Sequence, residues 1–315
     1  MELISRFNHQ SHGKILSKKR CTFVGVSENF KAFCTNLRMN DNTVSNIRYR
    51  TKRITKQLNK DFWASESEND HSFYSGSYGR GTEIFLSDID LLMVLPYETY
   101  KRYNSYSGNG QSALLQEVKE SIEKTYKSYK RADGQVVKVD FTDGVCFEIV
   151  PCFINTDGES YTYPDTNNGG SWRVTNPKAE IREMNAMNIL CNKNLKRLCR
   201  MTRAWKDKNN VPISGMLIDT LAFRFLKDWE YKDKSYVYYD WMSRDFLKYL
   251  SDQDIQKDYW LAPGSQQWVD KKGDFQYKAK ASYNKALEAI EAEGKGYENR
   301  TKSCWREIFG SKFPS

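Results

Sequence analysis

The chain has 315 residues and a mass of 36.9 kDa, is 39% hydrophobic and 14% aromatic, and so holds enough apolar surface for two packed lobes and too much for a wholly disordered chain. Its formal net charge of +9 is unevenly placed: residues 1–60 carry 13 Lys and Arg against 3 Asp and Glu, while the rest carry 36 against 37. That asymmetry points to an amino-terminal segment facing a polyanion, and the short apolar run 91–95, stopped by Pro96, excludes a bilayer span there.

The opening MELISRFNHQSHGK has no apolar stretch behind its charges, so no secretory signal is expected, and a cytoplasmic protein without membrane contact is. Seven cysteines and three histidines (His9, His12, His71) include no C-x-x-C pair. Cys146 with Cys152, and Cys191 with Cys199, are spaced too widely for a zinc knuckle, and reduced thiols used as small apolar residues are expected.

In chain order, a basic amino-terminal segment (1–40) precedes one long helix, 41–63. Asp41 or Asn42 is its expected cap, and Ile47, Ile54, Leu58 and Phe62 recur at helical spacing. Arg48, Lys52 and Lys56 line another face. After a polar break at 65–70, Phe73-Tyr74 leads into Gly76-Ser77-Tyr78-Gly79-Arg80-Gly81, a short helix or turn, and 87–95 reads as a buried strand. A helix is expected at 112–130, with Leu115, Val118 and Ile122 on one face. Strands at 135–141 and 145–151 follow, joined at Thr142-Asp143-Gly144 by a hairpin. The Asn167-Asn168-Gly169-Gly170 loop then divides a mixed α/β lobe (41–170) from a helical lobe (171–315), with helices at about 178–209, 214–229, 239–250, 275–293 and 297–308.

The chemistry concentrates in GSYGRGTEIFLSDIDLLMVLP, where Gly76-Ser77 is followed, after ten intervening residues, by Asp88-Ile89-Asp90 at the start of a strand. Residues two apart on a strand face one side, so Asp88 and Asp90 project together while Ile89 enters the core. Paired carboxylates repel unless a cation lies between them, which makes a divalent metal their natural occupant. A Gly-Ser turn lets backbone amides and a hydroxyl approach phosphate oxygens. Together they describe phosphoryl or nucleotidyl transfer with two metal ions about 3.5–4 Å apart. The glycine pattern is G-x-x-G-x-G with no G-K-[ST], so neither a dinucleotide fingerprint nor a P-loop is present.

This combination resembles the DNA polymerase beta-like nucleotidyltransferase superfamily. Within it, Gly169 to Lys178, Leu195-Lys196-Arg197-Leu198 with Arg203-Ala204-Trp205-Lys206, Ile213 to Leu221 and Tyr239 to Phe246 are similar to the bacterial cGAS/DncV-like nucleotidyltransferases (CD-NTases, SMODS-type). The resemblance runs from about residue 28 to 292. It implies an α+β fold, a nucleotidyltransferase lobe with a mixed sheet packed on a helical carboxy-terminal lobe, with the active site in the cleft between.

The family's third carboxylate lies on a neighbouring strand between apolar residues. Asp140 in KVDF and Glu148 in CFEIVP both qualify; the resemblance favours Glu148, which precedes the apolar-Val-Pro run, although relatives more often carry Asp there. By the same resemblance Gly76 and Ser77 would hold the β- and γ-phosphates of a donor nucleotide, and Asp88, Asp90 and Glu148 two Mg2+ (or Mn2+) ions. Glu148 would favour deprotonation of an acceptor hydroxyl. Arg203, where relatives usually have Lys, would grip the triphosphate, and Ser214 would contact phosphate. Gly215 replaces a base-stacking aromatic. Asn176 is equally a base reader or the cap of the helix starting at Pro177, and Trp172 and Trp205 are expected in the core. The implied substrates are ATP, GTP or UTP, and the implied product is a cyclic di- or trinucleotide messenger read by a downstream effector in anti-phage (CBASS) defence. Two rivals remain: an RNA-activated or RNA-end (2′-5′ oligoadenylate-type) transferase, with a nucleic acid or other activator on helix 41–63, and a catalytically silent nucleotide-binding protein.

Overall fold

The computed structural model describes residues 24–84, 88–127 and 130–315. Most of the expected basic segment 1–40, and residue 87 at the start of the expected strand, lie outside the described residues. What is described of that segment is not a solvated arm. Helix α1 (Val24–Asn36) buries Val26, Phe30 and Phe33, and these pack in the core of the helical lobe against Trp305, Phe309 and Phe313.

Helix α2 (Asp41–Trp63) takes Asn40 as its cap rather than Asp41 or Asn42: the Asn40 carboxamide oxygen accepts from the Thr43 amide at 2.8 Å, leaving Asp41 in the first turn, where its charge suits the helix dipole. Ile47, Ile54 and Leu58 are fully buried, as their spacing requires.

The sheet that carries the site comprises β1 (Ser72–Tyr74), β2 (Ile89–Val94), β3 (Lys130–Asp133), β4 (Val136–Asp140), β5 (Cys146–Ile154), β6 (Tyr161–Asp165) and β7 (Ser171–Thr175). Its main order is β1-β2-β5-β4-β3, with β6 on the far half of β5 and β7 outside β6. β2 and β5 run parallel and the other pairs antiparallel, so the sheet is mixed. Between β1 and β2 lies the five-residue helix α3 (Gly76–Arg80), and between β2 and β3 lie α4 (Tyr97–Asn104) and α5 (Gly110–Glu123). Ile89, Leu91, Met93, Val137, Val139, Phe147 and Ile149 alternate onto one face and form a core with α2 and α5. The intervening residues, Asp90, Lys138 and Glu148 among them, therefore belong to the opposite face.

The helical lobe comprises α6 (Pro177–Leu190), α7 (Asn194–Asn209), α8 (Gly215–Asp228), α9 (Tyr239–Ser251), the hairpin β8 (Tyr259–Leu261) and β9 (Trp268–Asp270), α10 (Gln276–Gly294) and α11 (Glu298–Phe309). The stretch 178–209 is not continuous. Asn192 and Lys193 adopt left-handed backbone (φ 49° and 66°) and break it between α6 and α7. The expected boundary at 170 also moves, because β7 pairs with β6 along its whole length and the sheet ends only at Thr175. Of the cysteines among the described residues all are free; five are buried and Cys146 is half-buried. No helix among the described residues is long and apolar enough to cross a membrane.

Candidate active site

The glycine-rich turn is locked onto the acidic strand. The Ser75 amide donates to the Asp90 carbonyl at 2.9 Å, and Gly76 follows with a φ of +56°. A β-carbon at position 76 would stand 1.7 Å from Asp90 Oδ2, so only glycine fits between the turn and that carboxylate. Helix α3 then runs for one turn with Ser77 partly exposed, and Gly81, at φ +66°, ends it by donating to the Ser77 and Tyr78 carbonyls.

The carboxylates follow from register. Asp90 lies opposite Glu148 across the parallel β2–β5 pair, and Asp88, exposed, immediately precedes β2. Burial first, then the neighbouring Glu148 and Asp88, push the Asp90 carboxyl up to about 6 against the opposing pull of Arg80. On the other side of β5, Lys138 lies opposite Glu148, and its ammonium is 2.6 Å from Glu148 Oε1. Asp140, paired with Cys146, is exposed; burial and a hydrogen bond with Asp140 push the Cys146 thiol up to about 12.

Among the described residues, no three His, Cys, Asp or Glu side chains are already gathered around one metal position. Like-charged groups separate when no cation joins them, and Glu148 is held by Lys138. The donor set nevertheless suits a hard divalent cation: Asp90 and Glu148 stand directly opposite each other on paired strands, and a third carboxylate, Asp88, lies two residues ahead of Asp90.

The remaining expected residues have structural partners. Arg203 is buried, its fork placed on Asp219 (2.6 and 3.0 Å) and on the Gly215 carbonyl (3.0 Å); a guanidinium so bound is not presented to a triphosphate. Ser214 caps α8 by accepting from the Leu217 amide at 3.1 Å. Asn176 caps α6, its oxygen accepting from the Ala179 amide at 3.1 Å, with Pro177 in the first turn. Trp172 donates to Asn104 and packs with Tyr100 and Phe153, and Trp205 is fully buried, donating to Ser282. Gly215 abuts Arg203: a β-carbon there would meet its guanidinium at 3.1 Å.

Several residues of the site were not singled out in the sequence. Arg80, at the end of α3, donates to Asp219 (3.0 Å) and to Glu180 (3.1 Å); Thr82 also donates to Asp219, and Ser265 to Glu180. This buried network fastens the turn to α6, α7 and α8. Arg200 donates to the Gly81 and Glu83 carbonyls. Lys196, one turn earlier on α7, reaches the end of the glycine turn: a β-carbon at Gly81 would lie 3.0 Å from its ammonium. Burial first, then Arg200, lower its pKa.

The basic face of α2 is partly answered by the polar break that follows it: Lys52 lies 3.8 Å from Glu68 and Lys56 3.3 Å from Glu66. Arg50 is turned instead to Asp143 in the β4–β5 hairpin and over the Phe141 ring.

Comparisons with known proteins agree with this architecture. The family model described as "Second Messenger Oligonucleotide or Dinucleotide Synthetase domain" matches residues 24–188. A protein of Bacillus cereus (strain VD146), named "Probable cyclic nucleotide synthase", is 24% identical, covering 76% of this chain and 81% of the relative. Among solved structures, E. coli MS115-1 CdnC in its HORMA complex aligns with a TM-score of 0.67 at 15% identity, over 92% of this chain and 98% of that one. CdnG of Bradyrhizobium diazoefficiens, solved with GTP, aligns at 0.64 and 11% identity over 91% and 95%. Vibrio cholerae DncV, a cyclic AMP-GMP synthase solved with a linear intermediate, aligns at 0.61 and 13% identity over 100% and 92%. At these identities the structural likeness shows a common fold.

Proposed function

This chain belongs to the Second Messenger Oligonucleotide or Dinucleotide Synthetase family, a family of nucleotidyltransferases, and from that premise we propose that it joins nucleoside triphosphates into a cyclic di- or trinucleotide messenger with release of pyrophosphate. The observation that carries the reading is the contact between the glycine turn and the acidic strand, with Gly76 against Asp90 and Asp90 opposite Glu148. It brings the backbone of the glycine turn against one of the paired carboxylates.

Asp88, Asp90 and Glu148 are the residues that would hold Mg2+ or Mn2+. When bound, such ions supply charge neutralisation at the phosphates and acidify an acceptor hydroxyl. The chain's own groups do the rest. The backbone amides and hydroxyl at Gly76-Ser77 orient the donor β- and γ-phosphates, and Lys196, beside Gly81, adds positive charge at the end of that turn. Glu148, on the strand next to Asp90, draws the proton from the acceptor hydroxyl. Arg80 and Arg203 act behind the turn, holding its position through Asp219 rather than touching nucleotide. Most of the rate gain in such a site comes from positioning and electrostatics.

The test is a product assay on purified protein with all four nucleoside triphosphates and Mg2+ or Mn2+, phosphatase treatment and mass spectrometry. A phosphatase-resistant species at the mass of a cyclic di- or trinucleotide is the expected result, and it names the bases. Linear oligomers alone would move the reading to a 2′-5′ oligoadenylate-type transferase. Absence of any product, with nucleic acid added as well, would leave a silent nucleotide-binding protein. A role in anti-phage signalling, with an effector that reads the product, belongs to the same proposal.

A further inference from the structure

The loop between β8 and β9 is built around one hydroxyl. Gly264, at φ +77°, passes so close to α6 that a β-carbon there would stand 2.3 Å from the Ala179 carbonyl oxygen. Gln266 is held at φ +55°, a left-handed position unfavourable for a residue with a side chain. Both ends of the Gln267 amide are fixed on β7: its nitrogen donates to the Val174 carbonyl at 2.8 Å, and its oxygen accepts from the Thr175 hydroxyl at 3.3 Å. The hairpin is anchored by Trp260 and Val269, which are buried in the core of the helical lobe. Between these fixed points Ser265 donates to Glu180 Oε1 at 3.0 Å. Backbone strain persists only where the surroundings over-determine it, and it collects at sites that need close placement.

We infer that Ser265 is a positioning residue for the reaction: it holds Glu180, Glu180 holds Arg80, and Arg80 keeps the glycine turn seated beside Asp90. The inference rests on the reading of that turn as the holder of the donor phosphates. Glu180 is 8% exposed, and both its oxygens are engaged, Oε1 by Ser265 and Oε2 by Arg80 Nη1 at 3.1 Å. Burial pushes its carboxyl up, while the Arg80 charge and the Ser265 hydroxyl pull it down against the repulsion of Asp219. The serine thus helps keep the acid charged and turned so that its other oxygen meets Arg80. Arg80 is the last residue of α3, and its Nε lies on Asp219. With the Glu180 contact the guanidinium is fixed at two points; without it, the fork can pivot about Asp219. The turn then loosens against Asp90, whose carbonyl accepts from the Ser75 amide and whose carboxylate leaves no room for a side chain at Gly76. A hairpin of the helical lobe reaches the acidic strand in this way through two side chains.

The experiment compares the full chain as wild type, Ser265→Ala and Ser265→Thr. Hydrogen exchange without nucleotide, read by mass spectrometry, should be at least about threefold faster in the 75–82 peptide of Ser265→Ala and unchanged in α2, the fold control. Steady-state kinetics with all four nucleoside triphosphates and Mg2+ should show kcat about tenfold lower with KM nearly unchanged. Ser265→Thr, which keeps the hydroxyl, should recover most of the loss. Should Ser265→Ala disturb α2 as well, Ser265→Cys, close in size but a weak donor, makes the same comparison. A Ser265→Ala kcat within about twofold of wild type overturns the inference, whether or not KM rises, and so does unchanged exchange in the turn. A wild type that forms no product overturns the nucleotidyltransfer reading instead, while the exchange readout, which needs no turnover, still decides whether the serine holds the turn.

Discussion

Arg80 and Asp219 meet inside the protein, Arg80 Nε lying 3.0 Å from Asp219 Oδ2, although 139 residues separate them in the chain. Asp219 also receives Arg203 and Thr82. One buried carboxylate thus ties the turn beside the acidic strand to α7 and α8 of the other lobe.

Asp219→Asn should be among the most damaging single changes. It leaves two buried guanidiniums short of their counter-charge, at a cost of about 3–5 kcal/mol, readable by urea unfolding. The pH dependence follows the same group. Burial raises the Asp219 carboxyl, but Arg203 and Arg80 outweigh it and hold it at about 2, below the ordinary 3.8. A lowered carboxyl contributes stability that is present above its unfolded value and is lost as pH falls through the folded one. The wild type should therefore shed roughly 2 kcal/mol from this group as the pH falls through that interval, and the acid limb should flatten in the variant.

Arg80→Lys keeps the charge but cannot serve Asp219 and Glu180 together, since the planar fork is lost. Folding should survive while kcat falls about tenfold or more from a loosened turn, with KM for nucleotide changing little. A KM rise without a kcat loss would make Arg80 a nucleotide contact instead of a positioning residue.

Gly76→Ala drives a methyl group into Asp90 and strains a left-handed backbone position. We expect a loss of at least about 1 kcal/mol from the backbone alone and turnover below one hundredth of wild type. A single-turnover assay on soluble, folded variant checks this.

Asp88→Asn and Asp90→Asn should abolish turnover and leave the fold intact. In metal-free buffer Asp90→Asn should even raise the melting temperature at neutral pH. The Asp90 carboxyl is pushed up to about 6, and a raised acid disfavours the folded state as pH climbs from its unfolded value through the folded one. Glu148→Gln should be severe and Asp140→Asn mild, because Asp140 is exposed beside Cys146 while Glu148 faces Asp90. The reverse order would transfer the third acidic role to Asp140.

Lys52→Glu tests whether the α2 face binds nucleic acid. Its lysines already lie near Glu66 and Glu68, so the charge reversal should leave product formation unchanged. Duplex RNA binding whose salt dependence weakens in the variant would revive an activator role for this helix.

Much of the site was legible because its parts are local. The turn, the Asp-Ile-Asp alternation and the β4–β5 hairpin are short-range signals, and the hairpin carried more than was read from it. With the turn at Thr142-Asp143-Gly144, counting outward pairs Asp140 with Cys146 and Lys138 with Glu148, the register observed. Lys138 was therefore within reach of the sequence. Arg203 was not: its partner Asp219 lies on the next helix, and the sequence does not say whether a guanidinium on α7 turns outward to phosphate or inward to a buried acid. The edge strands β3 and β7 escaped because an exposed, charged strand such as SWRVT has no apolar alternation to announce it. The break at Asn192-Lys193 was hidden within an apparently continuous helical pattern.

Helix α1 closes the helical lobe against segments nearly the whole chain away: Phe30 packs edge-on to Trp305 and Phe313, and the Asn36 amide donates to the Lys312 carbonyl. During synthesis this helix leaves the ribosome first among the described elements and waits, on the order of tens of seconds, until its partners are made. The sheet lobe, whose strand pairs and hydrophobic core lie between residues 39 and 175, can fold in that interval, whereas the helical lobe cannot close before translation is almost finished. A nascent chain stalled ahead of α11 should thus present a finished sheet and an apolar α1 still open to chaperones.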